Sequence, residues 1–448
     1  MLRLIKGVHI NNLWRIILLQ SPFCGLCSWE RKTRLRKRVY MSAAFDFKTR
    51  FAKGLPVPQP KWTGFPKYNF IGGHNDPQSI PVEGLIEATA RVLRRRGQTI
   101  ATYNQDCGPL GDIEMREFLA GKLSKFRGMS VTTEDILVTS GSGQALDLIN
   151  DILLESGDAV IMEEFTYQGA MNRLRARGVN VLGAKLDEGG IDVAALEIQL
   201  DALAAQGVIP KFVYTIPTVQ NPTSSVLSIE RRIALLKVTR DRGIPVVEDE
   251  CYADLLWDEE WPNSMLALND ADHVIHVGSF SKYLAPALRL GYAVAPRAVL
   301  AQMIACKGGG TGALEQMVVA DYMKNNYEKH VDDLKTRLKA KSDALVEALE
   351  ENFGTSAEFS VPPGGIYLWI KFPSDIDTLK LADEALKAGV AFNPGPQWSV
   401  DAEAARNHLR ICFANPSIEE IREGIAKLAD VFHAATGIPP RSANVSRV

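Results

Sequence analysis

The stretch GSFSKYLAPALRLG, residues 278–291, decides the fold because it places one lysine among groups that suit a bound phosphate. Lys282 follows Ser279 and Ser281, and Arg289 comes seven residues after the lysine. A lysine that forms an imine must lose its charge, which desolvation or a cationic neighbour favours, while hydroxyls and a guanidinium suit a phosphate dianion. These are the two ends of pyridoxal 5'-phosphate. The alternative is a polar turn after a strand, with a solvated lysine and arginine.

Composition and charge define the class of protein. The chain has 448 residues, of which 46% are hydrophobic and 23% are charged, so it is long enough for two domains with sizeable cores. Its net charge is −2, although residues 1–40 hold nine lysines and arginines against only Glu30. The remainder is therefore mildly acidic, and no nucleic-acid partner is expected.

The first 40 residues differ from everything that follows. The 14 uncharged residues between Arg15 and Glu30 are too few to span a bilayer. The run RKTRLRKR, residues 31–38, could bind nucleic acid or act as an address, but a solvated, disordered tail is favoured. Met41 opens a globular pattern, so residues 1–40 are either a targeting extension or a start codon placed too early. We expect a cytoplasmic protein with no membrane partner, and organellar targeting by residues 1–40 stays open.

Cysteine and histidine usage indicates a reducing compartment. Six cysteines in a chain of this length give no disulfide framework. Cys24 and Cys27 form one C-x-x-C pair without the second ligand pair of a zinc site, and the seven histidines lack ligand spacing. No structural metal is expected.

Strand-like apolar runs alternate with helical patterns along the body of the chain. This alternation predicts an α/β fold with a largely parallel sheet that is covered by helices on both faces. The predicted strands are Ile136–Thr139, Ala159–Met162, Phe212–Ile216, Ile244–Val247 and His273–Val277. Polar residues of interest lie just past the carboxyl end of each strand, which is the edge where open α/β sheets bind ligands.

The loop SGSGQ, residues 140–144, joins the first of these strands to a helix. The backbone N–H groups of Ser142 and Gly143, together with the helix dipole, can receive a phosphate there. A dinucleotide fold uses a similar turn, but it requires G-x-G-x-x-G, and Leu146 stands at the third glycine position. Nucleotide binding is therefore the weaker interpretation of this loop.

Four further polar residues suit the ring of such a cofactor. Asp249 ends an apolar strand, where its carboxylate needs a cation such as a protonated pyridine nitrogen; the alternative is an Asp that caps the next helix. Tyr252 and Asn221 can donate to a phenolate oxygen, although Asn-Pro is also a common turn pair. Tyr167 is either a residue that stacks on the ring or a surface aromatic.

With these residues in view, the chain resembles the fold-type I pyridoxal-phosphate enzymes, specifically the class I/II aminotransferases, from about Gly72 to about Ala429. Eight segments carry the resemblance in order. They are YNQDCGPLGDIEMREFLA (103–120), TSGSGQALD (139–147), EEFTYQGA (163–170), YTIPTVQNPTS (214–224), VVEDECYADL (246–255), GSFSKYLAPALRLGY (278–292), PPGGIYLW (362–369) and HLRICFANP (408–416).

The resemblance implies how the chain would hold the cofactor. Lys282 would bind it covalently, and Asp249 would pair with the ring nitrogen. Tyr252 and Asn221 would hold the ring oxygen, Asn221 would also contact the substrate, and Tyr167 would stack on the ring. The phosphate would be held by Ser142, Gly143, Gln144, Ser279, Ser281 and Arg289.

The resemblance also implies substrate contacts, with two departures from the family pattern. Arg410 would grip the substrate α-carboxylate with its planar fork, the alternative being a structural ion pair. Gly73 would line the substrate site, and Tyr103 would reach the phosphate of the neighbouring subunit. Tyr103, however, lies eight residues before Gly111, farther than usual, and Ser224 replaces the glycine of an Asn-Pro-x-Gly turn.

The implied enzyme is a homodimeric aminotransferase that moves an amino group to a 2-oxo acid such as 2-oxoglutarate. The implied donor is an α-amino acid of the 2-aminoadipate, aromatic or branched-chain type. An N-terminal arm (41–85) would precede a large domain with a mostly parallel seven-stranded sheet (86–306) and a smaller α+β domain (307–448). Two alternatives remain. One is a pyridoxal-phosphate lyase or decarboxylase, and the other is a ligand-sensing domain, disfavoured because about 40 residues are too few for the DNA-binding domain it would follow.

Overall fold

The computed structural model describes residues 45–52, 55, 57–58, 61–257, 262–269 and 271–437. The predictions about residues 1–40, including the C-x-x-C pair, lie outside these ranges. The chain divides into a unit that ends at Pro56 and a unit that begins at Val57. In the first unit, a short 3-10 helix spans Phe47–Arg50. No helix in the described ranges is long and apolar enough to cross a membrane.

The second unit alternates strands and helices. Its α-helices in the described ranges are α1 (Val82–Arg96), α2 (Ile113–Arg127), α3 (Ser142–Leu153), α4 (Gln168–Ala176), α5 (Val193–Ala205), α6 (Ile229–Arg240), α7 (Arg297–Lys307), α8 (Ala313–Phe353), α9 (Thr378–Lys387) and α10 (Ile418–Thr436). Its strands there are β1 (Tyr68–Asn69), β2 (Ile136–Thr139), β3 (Ala159–Glu163), β4 (Asn180–Ala184), β5 (Leu186–Asp187), β6 (Gly190–Ile191), β7 (Val213–Thr215), β8 (Val246–Asp249), β9 (Val274–Ser279), β10 (Gly291–Val294), β11 (Tyr367–Lys371), β12 (Val390–Ala391), β13 (Asn393–Pro394) and β14 (His408–Cys412).

Seven strands form the central sheet in the order β2-β10-β9-β8-β7-β3-β4. Neighbouring strands are parallel except at β10, which runs antiparallel to both β2 and β9. The predicted mostly parallel seven-stranded sheet is therefore confirmed. The predicted bounds of β2 agree with the structure. Strand β8 begins at Val246, two residues after the predicted start at Ile244, and extends past the predicted Val247 because its pairing with β9 continues to Asp249, opposite Val277.

Helices cover both faces of this sheet because alternate strand residues enter two separate hydrophobic cores. Ile161 and Val246 lie in a core with leucines of α5 and α6. Met162 and Val247, each one residue further along, lie in the larger core with apolar residues of α3 and α4. This layering confirms the predicted α/β class.

The carboxyl ends of the parallel strands meet at one edge of the sheet. There β2, β3, β7, β8 and β9 end at Thr139, Glu163, Thr215, Asp249 and Ser279. The loops that leave this edge carry most of the polar residues that the sequence singles out.

A smaller antiparallel sheet, in the order β11-β14-β13, carries Arg410 on its central strand. The long helix α8 contacts α1 and α2 and also α10. Strand β1 pairs in parallel with β12, and the Cys412 backbone N–H donates to the Phe70 carbonyl at 2.9 Å. These contacts bring Gly72 and Gly73, which follow β1, next to the strand that holds Arg410.

Candidate active site

A cavity of about 370 Å³ lies at the carboxyl edge of the central sheet. Most of the residues predicted from the sequence line it. Those residues are Gly73, Ser142, Gly143, Tyr167, Asp249, Tyr252, Ser279, Ser281, Lys282, Arg289 and Arg410. A larger cavity of about 650 Å³ lies elsewhere, and its lysines are paired with carboxylates, as in the Lys125–Glu328 ion pair.

Lys282 follows β9 and is half-buried in the cavity. Its Nζ donates to the backbone carbonyl of Gly73 at 3.0 Å. A Cβ on residue 73 would clash with the Tyr367 hydroxyl and would lie 2.5 Å from the lysine Nζ, so a side chain there would displace one or both of these groups. The lysine is thus held by a neutral acceptor, with no carboxylate among its hydrogen-bond partners in the described ranges.

Asp249 is the last residue of β8 and is only 3% exposed. Its Oδ2 accepts a hydrogen bond from the Tyr214 hydroxyl at 2.8 Å, whereas its Oδ1 accepts no hydrogen bond of good geometry in the described part of the chain. Burial raises the pKa of this carboxyl above its usual range, although the neighbouring Cys251 and Tyr214 act in the opposite direction. An unpartnered, buried carboxylate oxygen at a cavity wall calls for a cationic donor, which the protonated nitrogen of a pyridine ring supplies.

Asn221 and Tyr252 contact each other, and Tyr252 lines the cavity together with Lys282. The Asn221 Nδ2 donates to the Tyr252 hydroxyl at 3.0 Å. The Asn221–Pro222 peptide bond is cis. Burial raises the pKa of the Tyr252 phenol well above its usual range, so the phenol is neutral and can act as a hydrogen-bond donor.

Buried polar side chains hold the loop that carries Asn221. Arg232 donates to the Pro217 carbonyl at 3.0 Å and to the Thr218 hydroxyl at 2.7 Å. On the other side, the Gln220 Nε2 donates to Glu163 at 2.9 Å. Glu163 accepts only neutral hydrogen bonds in the described ranges, and burial raises its pKa to about 7.

Ser224 adopts a backbone conformation that glycine favours. Its φ is +63°, in the left-handed region that glycine adopts most easily. Its Oγ donates to the Tyr367 backbone carbonyl at 3.0 Å, which joins the loop to β11. The departure at Ser224 therefore leaves the turn in place.

The amino terminus of α3 forms a polar cup at one end of the cavity. Helix α3 begins at Ser142, after Gly141 with a φ of +80°. Ser279 and Ser281 lie nearby, and the Ser281 backbone N–H donates to the Ser279 Oγ at 3.1 Å. A side chain on Gly141 would clash with the guanidinium of Arg289.

Asn221, Gln144 and Tyr103 are the predicted residues that are not among those lining the cavity, whereas Tyr167 is. The Gln144 side chain does not line the cavity, because its Oε1 accepts from the Ser140 backbone N–H at 2.8 Å and so closes the turn before α3. Tyr167 is the N-cap residue of α4 and lines the cavity. Tyr103 is 99% exposed and is not among the lining residues, so within one chain it does not reach the cavity.

Arg410 is 1% exposed and lies at the opposite end of the cavity from the cup. Its guanidinium carbon is 3.9 Å from the ring centre of Tyr367 and 3.5 Å from that of Trp398. Its Nη2 donates to the Gly72 carbonyl and to the Asn393 Oδ1, each at 2.7 Å. Its Nη1 donates to the Asn221 Oδ1 at 3.0 Å, whereas its Nε has no partner in the described ranges.

Sequence reasoning missed four residues of this site. Tyr214 supports Asp249, and Asn393 with the rings of Tyr367 and Trp398 surrounds Arg410. Tyr367 lies in PPGGIYLW, one of the segments that carry the family resemblance, so its position could have been flagged. Asn393 and Trp398 lie in no such segment.

The residues of the cavity fit pyridoxal 5'-phosphate. A helix amino terminus with serines and an arginine suits its phosphate, the unpartnered Asp249 Oδ1 suits its ring nitrogen, and Lys282 suits its aldehyde. Tyr252 and Asn221 supply hydrogen-bonding groups between these two ends.

Comparison with known proteins agrees with this fit. The sequence profile of the family described as aminotransferase class I and II matches residues 72–428. The chain is 32% identical to the 2-aminoadipate transaminase of Thermus thermophilus, over 80% of this chain and 88% of that one. It is 31% identical to the aromatic-amino-acid aminotransferase 1 of Thermococcus litoralis, over 81% and 87%. The crystal structure of the kynurenine aminotransferase of Pyrococcus horikoshii with PMP matches with a TM-score of 0.77 and 32% identity, over 82% and 91%.

Proposed function

This chain belongs to the class I and II aminotransferases, and we propose that it transfers the amino group of a 2-aminoadipate-type, aromatic or branched-chain amino acid to 2-oxoglutarate. It is a pyridoxal-phosphate-dependent enzyme of fold type I. The proposed donor class is supported by relatives that are named for 2-aminoadipate, aromatic amino acids and kynurenine.

The unpartnered Nε of buried Arg410 is the observation that carries the choice of an amino-acid substrate. A guanidinium held between two rings has a fixed plane, so it can meet a planar carboxylate without further ordering. Asn221 contacts both Arg410 and Tyr252. It would thus place the α-carboxylate at a set distance from the ring oxygen of the cofactor. Gly73 would leave room for the substrate next to Lys282.

The remaining roles follow from the same geometry. The bound cofactor supplies a ring that withdraws electrons from the reacting carbon. Lys282 would bind the cofactor covalently, and its freed Nζ would accept the Cα proton of the amino acid. Asp249 would keep the ring nitrogen protonated, and Tyr252 with Asn221 would donate to the ring oxygen.

The other predicted cofactor contacts complete the proposal. Tyr167 would stack on the ring from the start of α4. The phosphate would be held by Ser142, Gly143, Gln144 through its backbone, Ser279, Ser281 and Arg289.

A homodimer with shared sites is part of the proposal. Exposed apolar side chains cluster in the segment that ends at Tyr103, namely Val82, Ile86, Leu93 and Ile100. Such a surface suits a second copy of the chain, and Tyr103 would then reach the partner's phosphate site. We also propose the division into an arm (41–85), a large domain (86–306) and a small domain (307–448), and a cytoplasmic location.

The decisive experiment is a screen of amino donors against 2-oxoglutarate with the purified enzyme. The products are identified for each donor. We expect glutamate and the matching 2-oxo acid in equal amounts, with 2-aminoadipate and aromatic amino acids among the best donors. Release of carbon dioxide or ammonia without glutamate would instead identify a lyase or decarboxylase, and a donor set outside these classes would contradict the proposed specificity.

A further inference from the structure

Two glycines at the amino terminus of α3 each make room for a guanidinium. A Cβ on Gly141 would clash with Arg289, and a Cβ on Gly143 would lie 2.8 Å from the Nη2 of Arg173. Arg289 comes from the loop after β9, whereas Arg173 comes from the second turn of α4. The polar cup is therefore flanked by two arginines, of which the sequence motifs include only Arg289.

Arg173 is bound on one side only. Its Nη1 donates to the Asp147 carboxylate of α3 at 2.5 Å. Its Nε is buried and has no hydrogen-bond partner in the described ranges, and its side chain is one of the groups that line the 370 Å³ cavity. The side chain as a whole is 36% exposed, but its Nε is buried, and a buried guanidinium N–H without an acceptor is costly, so this side of Arg173 suits an anionic partner.

Arg177 provides a comparison, because it also joins α4 to α3 but does not line the cavity. Arg177 also comes from the end of α4 and forms ion pairs with Asp147 and Asp151 on α3. It donates to the Asp147 carbonyl as well, at 3.4 Å. Unlike Arg173, it does not line the cavity. The two arginines share a carboxylate, but only one of them faces the cup.

We propose that Arg173 is a second guanidinium for the phosphate of the cofactor, placed opposite Arg289, and that Asp147 is its positioning residue. The proposal rests on the proposed location of the phosphate at the start of α3. A phosphate dianion offers three acceptor oxygens, so it can accept from the α3 backbone, from hydroxyl groups and from two guanidinium groups. Asp147 accepts a hydrogen bond from the Arg173 Nη1 and thereby restricts the orientation of the guanidinium edge formed by Nη2 and Nε.

The test compares binding of pyridoxal 5'-phosphate with binding of pyridoxal, which lacks the phosphate, to the apo form of the full-length enzyme. Dissociation constants are measured by absorbance titration for wild type, Arg173→Ala and the matched control Arg177→Ala. The loss of a hydrogen bond to a charged group typically lowers affinity by about tenfold to a hundredfold. We expect Arg173→Ala to raise the dissociation constant for pyridoxal 5'-phosphate by that factor and to leave the dissociation constant for pyridoxal within about threefold of the wild-type value. Arg177→Ala is expected to change neither.

Several outcomes would overturn the proposal. If Arg173→Ala weakens the binding of both ligands equally, or if Arg177→Ala weakens the binding of pyridoxal 5'-phosphate as much as Arg173→Ala does, the arginines only support the packing of α4 on α3. An unchanged dissociation constant for the phosphorylated ligand would show no contact. If Arg173→Ala does not fold, Arg173→Lys and Arg173→Gln replace it, with the charged variant expected to bind the phosphorylated ligand more tightly than the neutral one.

Arg289→Ala separates this inference from the location on which it rests. If Arg289→Ala weakens binding of pyridoxal 5'-phosphate relative to pyridoxal and Arg173→Ala does not, only the role of Arg173 is wrong. If neither variant weakens binding of pyridoxal 5'-phosphate relative to pyridoxal, the phosphate does not lie at the start of α3, and both statements fail.

Discussion

The two ends of the cavity are built in different ways. The phosphate end, our name for the part proposed to hold the phosphate (Ser142, Gly143, Ser279, Ser281 and Arg289), consists of the first turn of α3 after β2 and the loop after β9. The carboxylate end, formed by Arg410, Asn393, Tyr367 and Trp398, is assembled from strands and turns of the smaller sheet, with Gly72 from the other end of the chain. The first end depends on local backbone geometry and the second on tertiary packing.

This difference predicts at which end of the cavity a single substitution has the larger effect on ligand binding. At the phosphate end, backbone N–H groups and hydroxyls supply most of the donors, so no single side chain carries the whole site. At the carboxylate end, one guanidinium donates to Gly72, Asn393 and Asn221, and two rings fix its plane. Single substitutions should therefore be felt more strongly at the carboxylate end.

Lys282→Ala is expected to have the largest effect, because Lys282 lies between the two ends and is the proposed acceptor of the Cα proton. Removal of an acid–base group costs up to about 10⁴-fold in rate, and the covalent link is lost as well. The variant should still fold and bind cofactor through the phosphate end and Asp249. Turnover and cofactor affinity are measured together. Borohydride reduction of wild type followed by peptide mapping is the control, and a cofactor attached to another lysine would contradict the assignment.

Asp249→Asn is expected to reduce turnover by about 10² to 10³, because it removes one preorganised charge at nearly constant shape. The unpartnered Oδ1 of Asp249 motivates this expectation. The measurement is kcat for a good amino donor, with cofactor affinity followed in parallel. Tyr214→Phe is the matched control, since it removes only the hydrogen bond to Oδ2 and should cost less. An Asp249→Asn enzyme within threefold of wild type would refute the role.

The contrast between the ends also explains what the sequence could predict. The phosphate end could be predicted from the sequence because Ser279, Ser281, Lys282 and Arg289 lie within eleven residues of each other along the chain. The central sheet could be predicted for a similar reason, since its strands are apolar runs that end in polar residues. Arg410 was found through the family resemblance and not through local spacing.

The residues that were missed have partners far away in the sequence. Trp398 stacks on Arg410 only because β13 and β14 pair and the turn after β13 folds back over the strand. Tyr214 reaches Asp249 only because β7 and β8 are neighbours in the sheet. No period or spacing reports such contacts. Ser224 was expected to put its turn in question, but its side-chain hydrogen bond to Tyr367 accompanies the left-handed conformation.

Arg410→Lys tests the carboxylate end directly. A lysine keeps the charge but loses the planar fork, so it cannot donate to Gly72, Asn393 and Asn221 and also meet a carboxylate. We expect kcat/KM for an amino acid to fall by about tenfold to a hundredfold, with cofactor affinity nearly unchanged. An amine that lacks the carboxylate is the control substrate. Equal losses for the amino acid and the amine would mean that Arg410 is structural and that the carboxylate binds elsewhere.

Ser224→Gly and Ser224→Ala are expected to have the smallest effects, and their difference tests how the loop of Asn221 is joined to the carboxylate end. Both variants lose the hydrogen bond to the Tyr367 carbonyl, which contributes about 1 kcal/mol. Only the alanine retains the strain of the left-handed conformation, which costs roughly 1–2 kcal/mol.

The glycine variant should therefore exceed the alanine variant in free energy of unfolding by about 1 kcal/mol or more, and it should lie close to wild type. Urea unfolding of the cofactor-bound enzymes measures both values. Ser225→Gly and Ser225→Ala are the matched control pair, because the φ of Ser225 is not positive. There the alanine variant should be the more stable of the two, since glycine loses more backbone entropy on folding. If Ser224→Ala were as stable as Ser224→Gly, the backbone at this turn would have relaxed out of the left-handed region. Asn221 would then be placed by Arg232 and Glu163 instead of by its link to β11.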